Sequence, residues 1–134
     1  MNTLTYIRAR YNLKGNQSQH RLRRSRCGSL SVLFKELGFN NGAEIGVEAG
    51  KYSKCLFTVN PNLKLFAIDT LVELDNTNYN KAKNRLATFN AQLVKDTSMD
   101  AVKRVKNESL HFVYINTFGH SKDAFDDIKE WSKK

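Results

Sequence analysis

Ala43-Glu44-Ile45-Gly46-Val47-Glu48-Ala49-Gly50-Lys51-Tyr52-Ser53 is the stretch on which the reading of this chain turns. Ala43 to Val47 reads as a short strand, and it runs into a turn with glycines at 46 and 50. Glycine removes the Cβ atom where the backbone bends sharply and lets a ligand lie against the main chain. The helix expected next, over Tyr52 to Val59, presents free N–H groups at its start. Downstream, Leu63 to Ile68 reads as a second strand that ends at Asp69. In a doubly wound sheet an acid at that place can accept hydrogen bonds from ribose hydroxyls. The plainer alternative is a tight strand–helix turn with Asp69 as a helix cap. The spacing G-x-x-x-G also differs from the G-x-G-x-x-G of dinucleotide sites. Glu44 and Glu48 would repel a pyrophosphate, whereas they suit an amino or sulfonium group. That speaks against NAD and ATP as ligands.

Outward from this stretch, helical and extended patterns alternate. Before it, Leu30, Leu33, Phe34 and Leu37 recur at helical spacing, with Ser29 as a cap and Gly38 as a stop. After it, Tyr79, Ala82, Leu86 and Phe89 mark a helix started by Asn76 or Thr77, and Ala91 to Val94 a third strand. Ser98 begins a helix carrying Val102 and Val105; His111 to Ile115 is an apolar fourth strand. Ser121 caps a last helix whose stripe is Ala124, Ile128 and Trp131. Strands alternating with helices predict βαβ units and a parallel sheet. Right-handed crossovers then leave few topologies, and the order 3-2-1-4 is expected. The fold class is α/β and Rossmann-like.

The chain of 134 residues fits one domain, and 40% apolar residues suffice for a core. The net charge of +9 is uneven: Arg8, Arg10, Lys14, Arg21, Arg23, Arg24, Arg26 and Lys35 all precede the first acid, Glu36. Residues 1–28 therefore read as a basic, partly flexible arm with a short helix over Leu4 to Tyr11, and residues 29–134 as the binding domain. No apolar run is long enough to span a membrane, and no secretory signal is recognisable, so a cytoplasmic location is expected. Cys27 and Cys55 stand apart in no CxxC pattern and read as two reduced thiols, with no metal site.

The segments GAEIGVEAGKYS and LKLFAID resemble motif I and the acidic second strand of class I S-adenosylmethionine-dependent methyltransferases. Further on, SMDAV, FVYIN and DDIKEWSKK resemble the small-molecule and sugar O-methyltransferases of that superfamily. The resemblance runs from about residue 29 to Lys134. It implies S-adenosylmethionine or S-adenosylhomocysteine as the cofactor. Glu44 and Gly46 would line its methionine end, beside Gly50. Tyr52 and Ser53 would approach its carboxylate, Asp69 its ribose, and Ser98 and Met99 its adenine. It implies methyl transfer to a small-molecule or sugar hydroxyl.

Two departures qualify that expectation. The family's acid at the end of strand 4 is Asn116 here, and the family's histidine position holds Gly119, with His120 one residue late. An amide cannot serve as a general base. Asn116 and His120 are nonetheless the candidates for the acceptor side. The family also continues through a basic-to-glycine turn into three more strands, so the domain reads as truncated relative to the seven-stranded fold. Its strand 4 would be an apolar edge. Another copy of the chain is expected to cover it, with the arm or a truncated derivative as alternatives. Other functional readings stay open: a degenerate, non-catalytic binding or assembly module, and a nucleic-acid methyltransferase whose arm contacts phosphates.

Overall fold

The computed structural model describes residues 2–15, 27–70, 76–116 and 121–134, without the side chains of residues 121 and 122. Helix α1 spans Thr3–Arg10, and Asn2 caps it by accepting the Thr5 N–H at 2.9 Å. Helix α2 spans Gly28–Glu36. Strand β1 (Asn41–Ile45) leads to α3 (Lys51–Val59), and β2 (Lys64–Asp69) to α4 (Thr77–Leu86). Strand β3 (Ala91–Lys95) is followed by α5 (Ser98–Ala101), β4 (Phe112–Ile115) and α6 (Ser121–Trp131).

The four strands form one parallel sheet in the order β3-β2-β1-β4, the expected topology. β1 is central: Ile45 stands level with Ile68 of β2 on one side and Ile115 of β4 on the other. Helical layers cover both faces, so the central strand β1 is buried in succession from Gly42 to Ile45 and does not alternate. On one face Phe34, Leu56, Phe57 and Leu86 pack on Leu65 and Ala67. On the other, Ala101, Val102 and Trp131 pack on Ala43, Ile45 and Ile68. Gly42 is small for a steric reason: a Cβ there would overlap the Phe112 ring, which stacks on Phe34 with centroids 4.0 Å apart. Among the described residues no helix is long and apolar enough to cross a membrane.

Helix α1 lies within the stretch expected to be a flexible arm, and it is docked. The Tyr6 hydroxyl donates to Glu36 Oε2 at 3.0 Å, and Arg10 Nε donates to the same oxygen at 2.9 Å. Such an exposed pair contributes at most about 1 kcal/mol. Residues 16–26, with Arg21, Arg23, Arg24, Arg26 and His20, lie outside the described residues.

The structure corrects three local expectations. The stripe on α6 is not Ala124, Ile128 and Trp131: Trp131 is buried at 1% exposure, whereas Ile128 is 59% exposed and Asp127 takes the inward place. Asp127 can be buried because it accepts the Ser98 hydroxyl proton, while Ser98 Oγ accepts the Trp131 indole N–H at 2.7 Å. Helix α2 has Cys27, not Ser29, at its N-cap, whereas α5 begins at Ser98 as expected, after Thr97, whose Oγ1 accepts the Asp100 N–H at 3.1 Å. Cys27 and Cys55, read as separate thiols, are joined as a disulfide. Sequence separation says nothing of this approach, because the packing of α2 on α3 creates it.

Candidate functional site

The turn after β1 carries three positive φ angles in five residues: Gly46 at 90°, Glu48 at 48° and Gly50 at 74°. Glycine adopts these angles freely, but a glutamate there costs on the order of 1 kcal/mol or more. The Glu48 N–H offsets part of that cost by donating to Asp69 Oδ2 at 2.8 Å. Gly46 N–H donates to the Ile68 carbonyl and Asn116 N–H to the Ile45 carbonyl, at 2.9 and 2.8 Å. The ends of β1, β2 and β4 are thereby laced together. Gly50 is also a close-approach residue, since a Cβ on it would stand 3.3 Å from the Ala82 Cα. That contact draws α4 against the start of α3.

A cleft of about 390 Å³ opens above this turn, within the size range of small-molecule sites. It is lined by Glu44, residues 46–49, Tyr52 and Asn116, and by Asn78 and a basic wall of Lys51, Lys81 and Arg85. Arg85 Nη1 donates to the Ala49 carbonyl, which anchors the guanidinium at the turn.

Glu44 is fully buried. Its Oε2 accepts the Ser53 hydroxyl proton, and its Oε1 has no hydrogen-bond partner among the described residues. Burial raises its pKa from 4.5 to about 7; the neighbouring Asp69 charge adds to the rise, and the Ser53 hydrogen bond opposes it. The Tyr52 hydroxyl is likewise buried without a partner among the described residues. Burial, then Tyr114 and the Glu44 charge, push the Tyr52 phenol well above its ordinary value. The Tyr52 ring stacks on Tyr114 of β4 with centroids 4.2 Å apart. Two residues with orphaned polar atoms thus line one cleft. Unpartnered buried oxygens are costly, at about 1–3 kcal/mol each, and ask for a ligand group between them.

Of the residues singled out in the sequence, Glu44, Gly46, Tyr52 and Asn116 line the cleft together. Gly50, Ser53 and Asp69 adjoin the lining without being part of it, as α4 contact, hydroxyl donor to Glu44 and acceptor from Glu48. Ser98 is occupied by Asp127 and Trp131, and Met99 is exposed on α5. Neither of these two reaches the cleft lining. His120 lies outside the described residues. The basic wall was missed. Lys81 and Arg85 sit four apart on one face of α4, and in sequence that face resembles any solvated one. Only the Gly50–Ala82 approach aims it at the turn.

No protein-family model matches the chain, and no curated protein matches it. Solved structures do. A Staphylococcus aureus protein described as a candidate caffeoyl-CoA O-methyltransferase superposes with a TM-score of 0.61 at 17% identity, over 92% of this chain and 57% of that one. An O-methyltransferase from Bacillus cereus, solved with S-adenosylhomocysteine, superposes with a TM-score of 0.60 at 17% identity, over 94% and 58%. The chain therefore spans somewhat more than half the length of these two proteins. In its fold, this chain is a four-stranded Rossmann-like α/β unit that superposes on part of these two O-methyltransferase structures.

Proposed function

We propose that this chain binds S-adenosylmethionine, or its product S-adenosylhomocysteine, in the cleft above the β1–α3 turn. The reading rests on one observation: Glu44 and Tyr52, each with a buried side-chain oxygen that has no hydrogen-bond partner among the described residues, both line the cleft. An ammonium group offers N–H donors to both oxygens, as the α-amino group of this ligand would. Lys51, Lys81 and Arg85 would take the carboxylate across the cleft. A zwitterion suits a lining that holds both Glu44 and the cations, whereas a pyrophosphate would meet Glu44 and Glu48. Asp69, at the end of β2, would face the ribose.

When bound, the cofactor supplies an electrophilic methyl group. The chain's share of catalysis would then be positioning, with Asn116 at the mouth of the cleft holding a small-molecule or sugar hydroxyl. Methyltransferase-fold neighbours support that acceptor class. Calorimetry with S-adenosylhomocysteine tests the reading: micromolar affinity is expected for the wild type, with a large loss in Glu44→Gln. Absence of binding by the wild type sinks it.

Asn116 also favours a second reading. It lines the cleft, and its amide cannot accept a proton from an acceptor hydroxyl. A chain that binds the cofactor without turnover is the outcome this predicts. Ligand affinity with no methyl transfer over a broad panel of hydroxyl acceptors would separate it from the first. Arg10 is already paired with Glu36, which withdraws one arm charge from phosphate contact and counts against the nucleic-acid reading. Self-association through β4 and a cytoplasmic location remain parts of the proposal, to be tested by sedimentation and by localisation of the tagged chain.

A further inference from the structure

The chain has two cysteines, and they are bonded to each other with Cα atoms 6.0 Å apart, within the span a disulfide allows. Cys27 occupies the N-cap position of α2 and makes no capping hydrogen bond there. Cys55 lies on α3, the helix that carries Tyr52 and Ser53 beside Glu44. The bond therefore ties the end of the basic stretch to the helix that walls the cleft. One turn further along both helices, Asn60 Nδ2 donates to the Ser31 carbonyl at 2.9 Å. That second tie does not depend on sulfur chemistry.

Two features set the bond apart from a folding staple. The apolar clusters on both faces of the sheet already form a core, so a chain of this length does not need a cross-link as small scaffolds do. Both cysteines are only half-buried, which leaves the sulfurs within reach of a small thiol. In the cytoplasm proposed above, glutathione reduces disulfides, and those that form there are transient or redox-sensing.

We propose that Cys27 and Cys55 form a reversible thiol–disulfide clasp between α2 and α3. Closed, it holds the start of α2 against α3; open, it frees that end and loosens the first turns of α3. In closing, one cysteine thiolate attacks a low-molecular-weight disulfide and expels one thiolate, leaving a mixed disulfide. The other cysteine then attacks the protein sulfur of that bond and releases the second small thiol. The protein loses two electrons and two protons, and one small disulfide becomes two thiols. The inference concerns the two helices and does not require the ligand to be S-adenosylmethionine.

The test equilibrates the full chain in glutathione buffers of varied ratio, traps thiols by acid quench and alkylation, and follows hydrogen exchange by mass spectrometry. Complete and reversible interconversion is expected, with the reduced chain still folded. Amides of α2 and of residues 51–55 should exchange about tenfold faster when reduced, with β1 and β2 unchanged. Cys55→Ser and Cys27→Ser should each show the reduced pattern in oxidising buffer. The proposal is overturned by a bond that resists millimolar glutathione, by thiols that do not pair, by global unfolding on reduction, or by identical exchange in the two states.

Discussion

The turn that follows β1 and the strand that closes the sheet at β4 are neighbours in register, yet they are built to different standards of enclosure. At the turn, Glu44 is 0% exposed, the backbone is bent through positive φ at Gly46, Glu48 and Gly50, and Asp69 ties down the strained residue. At β4 only Phe112 is buried; Val113, Tyr114 and Ile115 are half-covered, and Asn116 is exposed. The helix beside that edge shows Phe125 at 66% and Ile128 at 59% exposure. The physics differs accordingly. A buried carboxylate is tolerated only for a partner, while an edge with half-covered apolar side chains is tolerated by staying short and accepting contacts. In the proposed reading, ligand capture would rest on these four strands, with the acceptor side open. Binding and turnover become separable properties.

The largest expected effect tests whether the Glu44 burial is a cost held for function. The unfolded chain releases this proton near 4.5, whereas the folded chain keeps it up to about 7. The folded state therefore binds more protons in that window, and stability falls as pH rises through it, by about 3 kcal/mol in total. Urea unfolding from pH 4.5 to 8 should show that decline, and Glu44→Gln should flatten it. A wild-type curve with no decline would mean the carboxylate is solvated.

The same substitution should weaken S-adenosylhomocysteine binding about 100-fold at pH 8, since a charge-assisted contact of roughly 3 kcal/mol is lost. In the wild type, affinity should fall about tenfold per pH unit below 7, as the empty site's carboxylate protonates before the ligand's ammonium can meet it. Isothermal calorimetry over pH 5.5–8 reads both effects. An affinity independent of pH would move the ammonium away from Glu44.

Gly50→Ala probes the turn without touching the ligand. The backbone sits at φ 74°, and the new Cβ would press on Ala82 of α4. A destabilisation of about 2 kcal/mol is expected from the conformational and steric terms together, measured by denaturant midpoint. An unchanged midpoint would show that α4 is free to retreat.

At β4 the effects should be small. Phe125→Ser and Ile128→Ser should each change stability by less than about 0.5 kcal/mol, as exposed positions do, while lowering any self-association seen by sedimentation. Asn116→Asp should leave S-adenosylhomocysteine affinity within about threefold, because the residue lines only the mouth; if turnover is limited by the missing base, that variant gains it. A collapse of affinity in Asn116→Asp would erase the distinction between the two regions.

Much of this was legible along the chain, and for identifiable reasons. Short, largely apolar segments at 43–47 and 63–68 and the apolar run at 112–115 mark strands of a sheet packed between helices, bounded by turn residues. Gly46 and Gly50 announce a turn because positive φ is costly for other residues. Ile128 and Asp127 exchange places on α6 because a single hydrogen-bonded pair, Ser98 with Asp127, outweighs an apolar residue's claim to the interior. Ser98 and Met99, expected beside the ligand, show the same limit: position after a strand does not say which neighbour a side chain will satisfy.

Local order of residues was enough to determine the element sequence, the parallel 3-2-1-4 sheet and the location of the glycine turn, since backbone preference and hydrophobic period act over a few residues. Tertiary packing alone decided that Lys81 and Arg85 face that turn, that Glu44 is left with one orphaned oxygen, and that Cys27 meets Cys55. Each of these depends on how one helix is pressed against another, and contacts between distant segments leave no trace in the spacing of either one.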